Sequence, residues 1–386
     1  MNTRDTSSRL TKPEVATAAC RLLAMYLPQF HPIPENDAWW GKGFTEWTNV
    51  TRSRPKFRGH YQPHLPADLG YYDLRIPEVR ELQAELARSH GISGFCYYHY
   101  WFNGKRLLER PLAEVLNSGK PDFPFCICWA NENWTRLWDG CEQEMLIGQD
   151  YSADDDRKHI RSLLPLFADA RYVRVDGKPL FTVYRSSHLP DAARSTDIWR
   201  EEALKAGVGE LYLCRFETKD DMISPDPRSL GFDAAIEFAP DWRRSGGQDL
   251  AGWKAKALAG MGLLPKPYQE NRFFDYRAIA KHMMQRETPA YPLMRGVTPG
   301  FDNSARRKTA AMIIRHATPQ AYGEWLRFAI DWTERHHTGD QRLVFVNAWN
   351  EWAEGNHLEP DMKDGSAYLE ATRAATEPLA KRAHKL

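Results

Sequence analysis

The chain has 386 residues, with 52 Lys and Arg against 51 Asp and Glu. A net charge of +1 offers none of the basic surface that nucleic-acid binding needs, and 42% hydrophobic with 27% charged residues excludes a disordered chain. Six cysteines are too few for a disulfide scaffold, and no apolar run reaches the ~18 residues that would span a bilayer.

In chain order, Met1 to Ala19 is polar and mixed in charge, without the apolar stretch of a secretory signal. Residues 1–20 therefore read as a disordered leader, and a cytoplasmic location is expected from the missing signal and the unpaired thiols. Eight short apolar runs come next. They are Leu22–Phe30, Ile92–Tyr100, Phe123–Trp129, Leu180–Tyr184, Glu210–Phe216, Ala234–Phe238, Leu293–Val297 and Leu343–Ala348. Helical spacing fills Pro77–His90, Asp154–Ala170, Asp191–Ala206, Thr318–His337 and Ser366–Lys381. Strands alternating with helices predict an α/β fold, a single (β/α)8 barrel over residues 21–386. The rival doubly wound sheet would want glycines after its first strand, and Pro28-Gln29-Phe30-His31-Pro32 has none. Two long connections, Pro32–Arg75 after the first strand and Pro240–Pro292 after the sixth, leave the barrel face where such enzymes build their sites.

Polar and aromatic residues collect at the strand ends. Tyr26, Gln29 and His31 close the first strand, with Trp39, Trp40, Glu46 and Trp47 in its loop. His99 and Trp101 end the second, and Trp129, Asn131, Glu132 and Trp134 the third, ahead of Trp138-Asp139. Glu237 ends the sixth, Asp302 comes after the seventh, and Trp349, Asn350 and Trp352 come after the eighth. The chain holds 14 Trp, about three times the usual share. Ten of them, counting Trp242 after the sixth strand, fall at or just after these ends, so the surplus reads as the wall of a sugar cleft, rings for C–H faces and amides and acids for hydroxyls. The expected substrate is an oligo- or polysaccharide.

Glu351 and Glu354 lie three residues apart, which on one turn brings their Cβ atoms to roughly 5–6 Å. Retaining glycosyl chemistry uses two carboxyls about 5–5.5 Å apart. Glu132 and Glu237 compete as partners, and spacing does not choose among these acids. Asp302 with Arg306 and Arg307 could hold a phosphate or an acidic sugar, or form a salt-bridge cluster. Asp154-Asp155-Asp156 reads as the acidic first turn of a helix. Cys126 and Cys128 share a strand face, but no further ligands accompany them at zinc-like spacing, so no metal or cofactor is expected.

Four motifs carry a resemblance: Tyr26-Leu27-Pro28-Gln29-Phe30-His31, Gly43-Phe44-Thr45-Glu46-Trp47, Trp129-Ala130-Asn131-Glu132-Asn133-Trp134 and Trp349-Asn350-Glu351-Trp352-Ala353-Glu354-Gly355. Together they resemble the WbsX-like family, proteins of bacterial O-antigen and polysaccharide gene clusters related to glycoside hydrolase family 99. The likeness runs from Leu22 to about Glu370. It implies a (β/α)8 barrel with both catalytic acids in the last motif. In family 99, which cleaves internal α-mannosidic bonds with retention, that motif would make Glu351 the base on the sugar's own 2-hydroxyl. Glu354 would be the general acid and later the base for water. The WbsX-like group carries the label glycosyltransferase, so transfer in polysaccharide biosynthesis stands as the alternative activity. A non-catalytic glycan-binding barrel is the third reading.

Overall fold

The computed structural model describes residues 20–136, 141–218, 226–244, 257–258 and 260–377. The expected leader, all but Cys20, lies outside them, as do Trp138 and Asp139. Eight strands are parallel and consecutive. They are β1 (Arg21–Tyr26), β2 (Gly94–Phe102), β3 (Phe125–Trp129), β4 (Lys178–Val183), β5 (Tyr212–Glu217), β6 (Ala234–Glu237), β7 (Leu293–Val297) and β8 (Leu343–Val346). Each pairs with the next, and β1 pairs with both β2 and β8, which closes the barrel. All eight fall on the apolar runs of the sequence.

The helices are α1 (Pro34–Trp40), α2 (Glu46–Arg52), α3 (Pro77–Ser89), α4 (Arg110–Ser118), α5 (Ala153–Ala168), α6 (Ala192–Lys205), α7 (Lys266–Glu270), α8 (Tyr276–Met284), α9 (Pro319–His336) and α10 (Ala367–Thr376). Four start where a side-chain oxygen satisfies a free backbone N–H of the first turn. Ser152 accepts from Asp155, Asp191 from Arg194, Asp275 from Ala278 and Thr318 from Ala321. Asp154-Asp155-Asp156 does form the first turn of α5. Only Asp154 faces solvent; Asp155 accepts from Trp101 Nε1 at 2.9 Å, and Asp156 from Ser195 and Trp199. The acidic turn thus ties the helix layer together.

The two long connections are structured. The first carries α1 and α2 over the barrel mouth. The second carries α7, α8 and a strand, Arg272–Asp275, that pairs in parallel with Met312–Arg315 outside the barrel. No helix among the described residues is long and apolar enough to cross a membrane.

Strand alternation sorts side chains between barrel interior and helix layer. Cys96, Cys126, Cys128 and Cys214 are buried free thiols, and burial raises the pKa of Cys96, Cys128 and Cys214 well above the usual thiol range. Gly296 in β7 sits where a Cβ would collide with the Glu237 carbonyl oxygen of β6, so only glycine permits that strand spacing. Gly296→Ala should destabilise the barrel by about 1–3 kcal/mol, the usual cost of overpacking. Urea unfolding checks this, and an unchanged midpoint would show that the strands can part without penalty.

Candidate active site

At the C-terminal ends of the strands lies a cleft of about 260 Å³. Leu27, Gln29, Trp40, Tyr98, Tyr100, Glu132, Trp134, Tyr184, Phe238, Arg306, Asn347, Glu351 and Glu354 line it. Glu351 ends a two-residue strand, Asn350–Glu351, and a 3-10 turn, Trp352–Glu354, carries Glu354 back toward it.

Both carboxylates converge on one guanidinium. Arg306 donates from Nη1 to Glu354 Oε1 at 2.6 Å and from Nη2 to Glu351 Oε2 at 2.8 Å. Its Nε donates to Glu46 Oε1 at 2.7 Å, so three acids among the described residues surround one cation. Burial works against the charge of Arg306, but the three carboxylates outweigh it and raise its pKa well above the usual value. Glu46 is fully buried, and its pKa is raised by that burial against the pull of Arg306. Burial also pushes Glu351 up to about 8; Arg306 opposes the rise, and Glu354 and Glu46 add to it. One positive charge does not neutralise three negative ones in a water-poor site, so a proton is held there near neutral pH.

The motif is braced from behind. Asn350 accepts from Leu27 N at 2.7 Å and donates to Leu27 O, tying the loop after β8 to the end of β1. Glu359, fully buried, accepts from Tyr72 Oη, Gln83 Nε2 and Trp352 Nε1 at 2.6–2.7 Å. Burial pushes the Glu359 carboxyl up to about 7.

Of the residues picked from sequence, Gln29, Glu132, Trp134, Glu351 and Glu354 line the cleft, and Glu46 stands beside it on Arg306. Glu132 also pairs with Arg185 at 2.8 Å. The other described residues lie outside the cleft lining, and for those on strands the reason is parity, which turns the side chain to the helix layer. Tyr26 Oη bonds Gln83, His99 faces His159, and Trp101 stacks on His159. Trp129 packs against His159 and Trp199. Glu237 pairs with Arg295 at 3.1 Å and is buried, with its pKa raised by that burial against Arg295 and Arg286. Among the loop residues, Trp47 donates to Tyr72 O, Trp349 packs on Phe95, and Trp352 stacks on His357. His31 is buried, and its pKa falls to about 4 because burial disfavours the cation. Asn131 bonds the backbone of Arg185, and Asn350 that of Leu27. Asp302 belongs to a neighbouring cavity, bonded to His60 Nε2 at 2.6 Å and Gln62 Nε2 at 3.1 Å. It is therefore not paired with Arg306 as a phosphate clamp.

The cleft residues missed are Tyr98, Tyr100, Tyr184, Phe238 and Asn347. Period-2 counting along β2 separates Tyr98 and Tyr100 from Tyr97, His99 and Trp101, and would have found the first two. The Trp surplus is mostly core: Trp129, Trp199, Trp325, Trp349 and Trp352 are fully buried, while Trp40 and Trp134 line the cleft.

Removing the shared cation should expose this charge imbalance. Arg306→Met should cost about 3–5 kcal/mol near pH 8, the loss expected when one partner of a buried ion pair is deleted. Without Arg306 the Glu46 and Glu351 carboxyls, already raised, shift further above their unfolded value near ~4.3, so stability present below that pH is lost as pH rises. Denaturation at pH 5 and pH 8 should show the gap to the native protein widening with pH. A gap independent of pH would contradict the three-acid account.

Residues 22–372 match the family model described as Glycosyltransferase WbsX. The chain is 45% identical over 359 residues to the uncharacterized protein WxcX of Xanthomonas campestris pv. campestris strain B100, covering 93% of this chain and 50% of that protein. The chain from strain ATCC 33913 matches equally. The present chain thus spans about half the length of the curated relatives it matches. Among solved structures, the GH99 endo-alpha-mannosidase from Bacteroides thetaiotaomicron superposes with a TM-score of 0.56 at 14% identity, over 95% of this chain and 99% of that one. A glycoside hydrolase-like protein gives the same score at 12% identity, over 97% and 98%. At such identities the likeness is one of fold, a TIM-like barrel. The match along nearly the whole length settles kinship: this chain belongs to the WbsX glycosyltransferase family.

Proposed function

We propose that the protein acts on glycosidic bonds of a bacterial polysaccharide or O-antigen glycan, with Glu351 and Glu354 as its catalytic pair. The family description supports a carbohydrate-active enzyme. The observation that carries the assignment is the convergence of both carboxylates on Arg306 in an aromatic-lined cleft at the strand ends.

In this reading, which rests on the resemblance to family 99, the substrate presents a 2-hydroxyl trans to its leaving group, as in an α-mannoside. The Glu351 carboxylate takes the 2-hydroxyl proton while O2 attacks C1 and the C1–O glycosidic bond breaks. Glu354 delivers its proton to the departing oxygen. Water, or a sugar hydroxyl in transglycosylation, then opens the 1,2-anhydro sugar at C1. Glu354 takes the proton of that nucleophile, and Glu351 returns its own to O2. Two inversions retain the configuration. With Glu351 raised to about 8, the form that reacts is the one in which the pair's single proton sits on Glu354 and Glu351 is ionised, a more basic carboxylate that pulls harder on a hydroxyl. Tyr98, Tyr100, Trp40, Trp134 and Phe238 supply ring faces for the sugar. A cytoplasmic location, read from the free buried thiols, belongs to the same proposal.

A second reading rests on a separate feature. A groove of about 460 Å³, lined by Trp39, Trp40, Arg52, Arg54, Lys56, Arg307 and Lys308, adjoins the cleft through Arg306. Its cationic lining suits a diphosphate, which favours a sugar-nucleotide-dependent glycosyltransferase.

Glu351→Gln and Glu354→Gln should each cut turnover of an α-mannosidic glycan ~100–10,000-fold, the range for losing an acid–base group. Glu354→Gln should keep its first-turnover burst of aryl release from an aryl mannoside whose leaving group needs no proton, whereas Glu351→Gln should not. Transfer from a sugar nucleotide that survives both substitutions would overturn the pair. The mechanism also needs one proton on the pair. That proton is lost as pH rises through about 8, so kcat/KM should fall above it. A profile flat to pH 10 would contradict the paired-acid chemistry.

A further inference from the structure

Behind the acid motif, in a cavity of about 330 Å³ distinct from the cleft, three ligand-type atoms meet. His64 Nδ1 and His357 Nε2 are 2.8 Å apart. Asp361 Oδ2 lies 4.0 Å from the first and 3.9 Å from the second. We propose that His64, His357 and Asp361 bind a divalent transition-metal ion, with zinc the best fit. This inference stands independently of the catalytic reading.

The geometry of the triangle carries it. A single point lies about 2.1 Å from all three atoms, the bond length zinc takes to imidazole nitrogen and carboxylate oxygen. A hydrogen bond between the two imidazoles would explain the short N···N distance but not a carboxylate equidistant from both. Among the described residues, no other group of His, Cys, Asp and Glu side chains converges in this way.

The surroundings orient each ligand as metal sites do. His357 Nδ1 lies 2.9 Å from the Glu359 carbonyl, so Nδ1 carries the proton and Nε2 keeps its lone pair toward the centre. Trp352 stacks on the His357 ring at 3.8 Å and fixes its plane. Tyr61 Oη donates to Asp361 Oδ2 at 3.1 Å, and the amides of Lys363 and Asp364 hold Oδ1. Gly355 makes room for His64. Its φ is +53°, and a Cβ there would press on the His64 ring at 3.2 Å. Two histidines and one carboxylate leave a fourth position for water on the side of the cavity, the ligand set of an open zinc site.

The ion would staple the long loop after β1, which carries His64, to the segment that continues from Glu354 without a break. It would act on the acid motif through position. The test is metal binding by the whole chain, stripped with chelator and dialysed against Zn²⁺. One equivalent should bind, and Co²⁺ should show the visible bands of a low-coordinate ion. His64→Gln and Asp361→Asn should lose the equivalent while keeping a native circular-dichroism spectrum. Tyr61→Phe should weaken binding ~10–100-fold, as outer partners of metal ligands do. No stoichiometric Zn²⁺ on the native chain, or an equivalent retained by both ligand variants, would overturn the site. Should a variant unfold, the Co²⁺ spectrum of the native chain decides alone, since its absence removes the proposal.

Discussion

One guanidinium holds the active face together. Arg306 comes from the loop after β7, Glu46 from α2 in the loop after β1, and Glu351 and Glu354 from the loop after β8. Three segments far apart in sequence are therefore fixed to one point. The charge count among the described residues is what matters: three acids share one base away from water. Full ionisation of all three would leave excess negative charge in a low-dielectric pocket, which is costly. Holding a proton relieves it, and Glu351 is the carboxyl most clearly raised into the physiological range. The same arrangement that organises the loops thus also holds a proton near neutral pH.

The apparatus behind the pair is apolar and rigid. Trp352, Trp349 and Trp47 pack beneath the motif, and Glu359 and Asn350 satisfy the polar atoms that this burial would otherwise strand. Preorganised groups of this kind keep a pair of carboxyls fixed while a sugar docks. The tryptophans that suggested stacking surfaces in the sequence are better understood as this support, with Tyr98 and Tyr100 of β2 and Tyr184 just after β4 forming more of the cleft wall.

Two neighbouring cavities extend the site. The basic groove lies on one side of Arg306, and the His64–His357–Asp361 cavity lies behind Gly355. Asp302 links the second cavity to the acid motif, because its backbone N–H donates to the Glu354 carbonyl at 2.5 Å. Both cavities are therefore tied to the same short turn, one through Arg306 and the other through Asp302.

The sequence by itself determined the barrel, since burial on both faces makes each strand a short apolar run and a 3.6-residue periodicity marks the helices between them. Strands and helices lie within a few residues of their expected bounds, save the last helix, which ends at Thr376 where Lys381, outside the described residues, was expected. It also singled out Glu351 and Glu354, because two acids in one turn beside an apolar strand are conspicuous, and the resemblance pointed to the same pair. The direction of each side chain was decided only in three dimensions. His99, Trp101 and Glu237 sit at strand ends as expected, yet the pleat turns them to the helices. Nor could spacing reveal that Arg306 gathers three acids, or that His64 meets His357. Those contacts join positions 260 and 293 residues apart. Only closure of the barrel, with β1 beside β8, brings such residues within bonding distance.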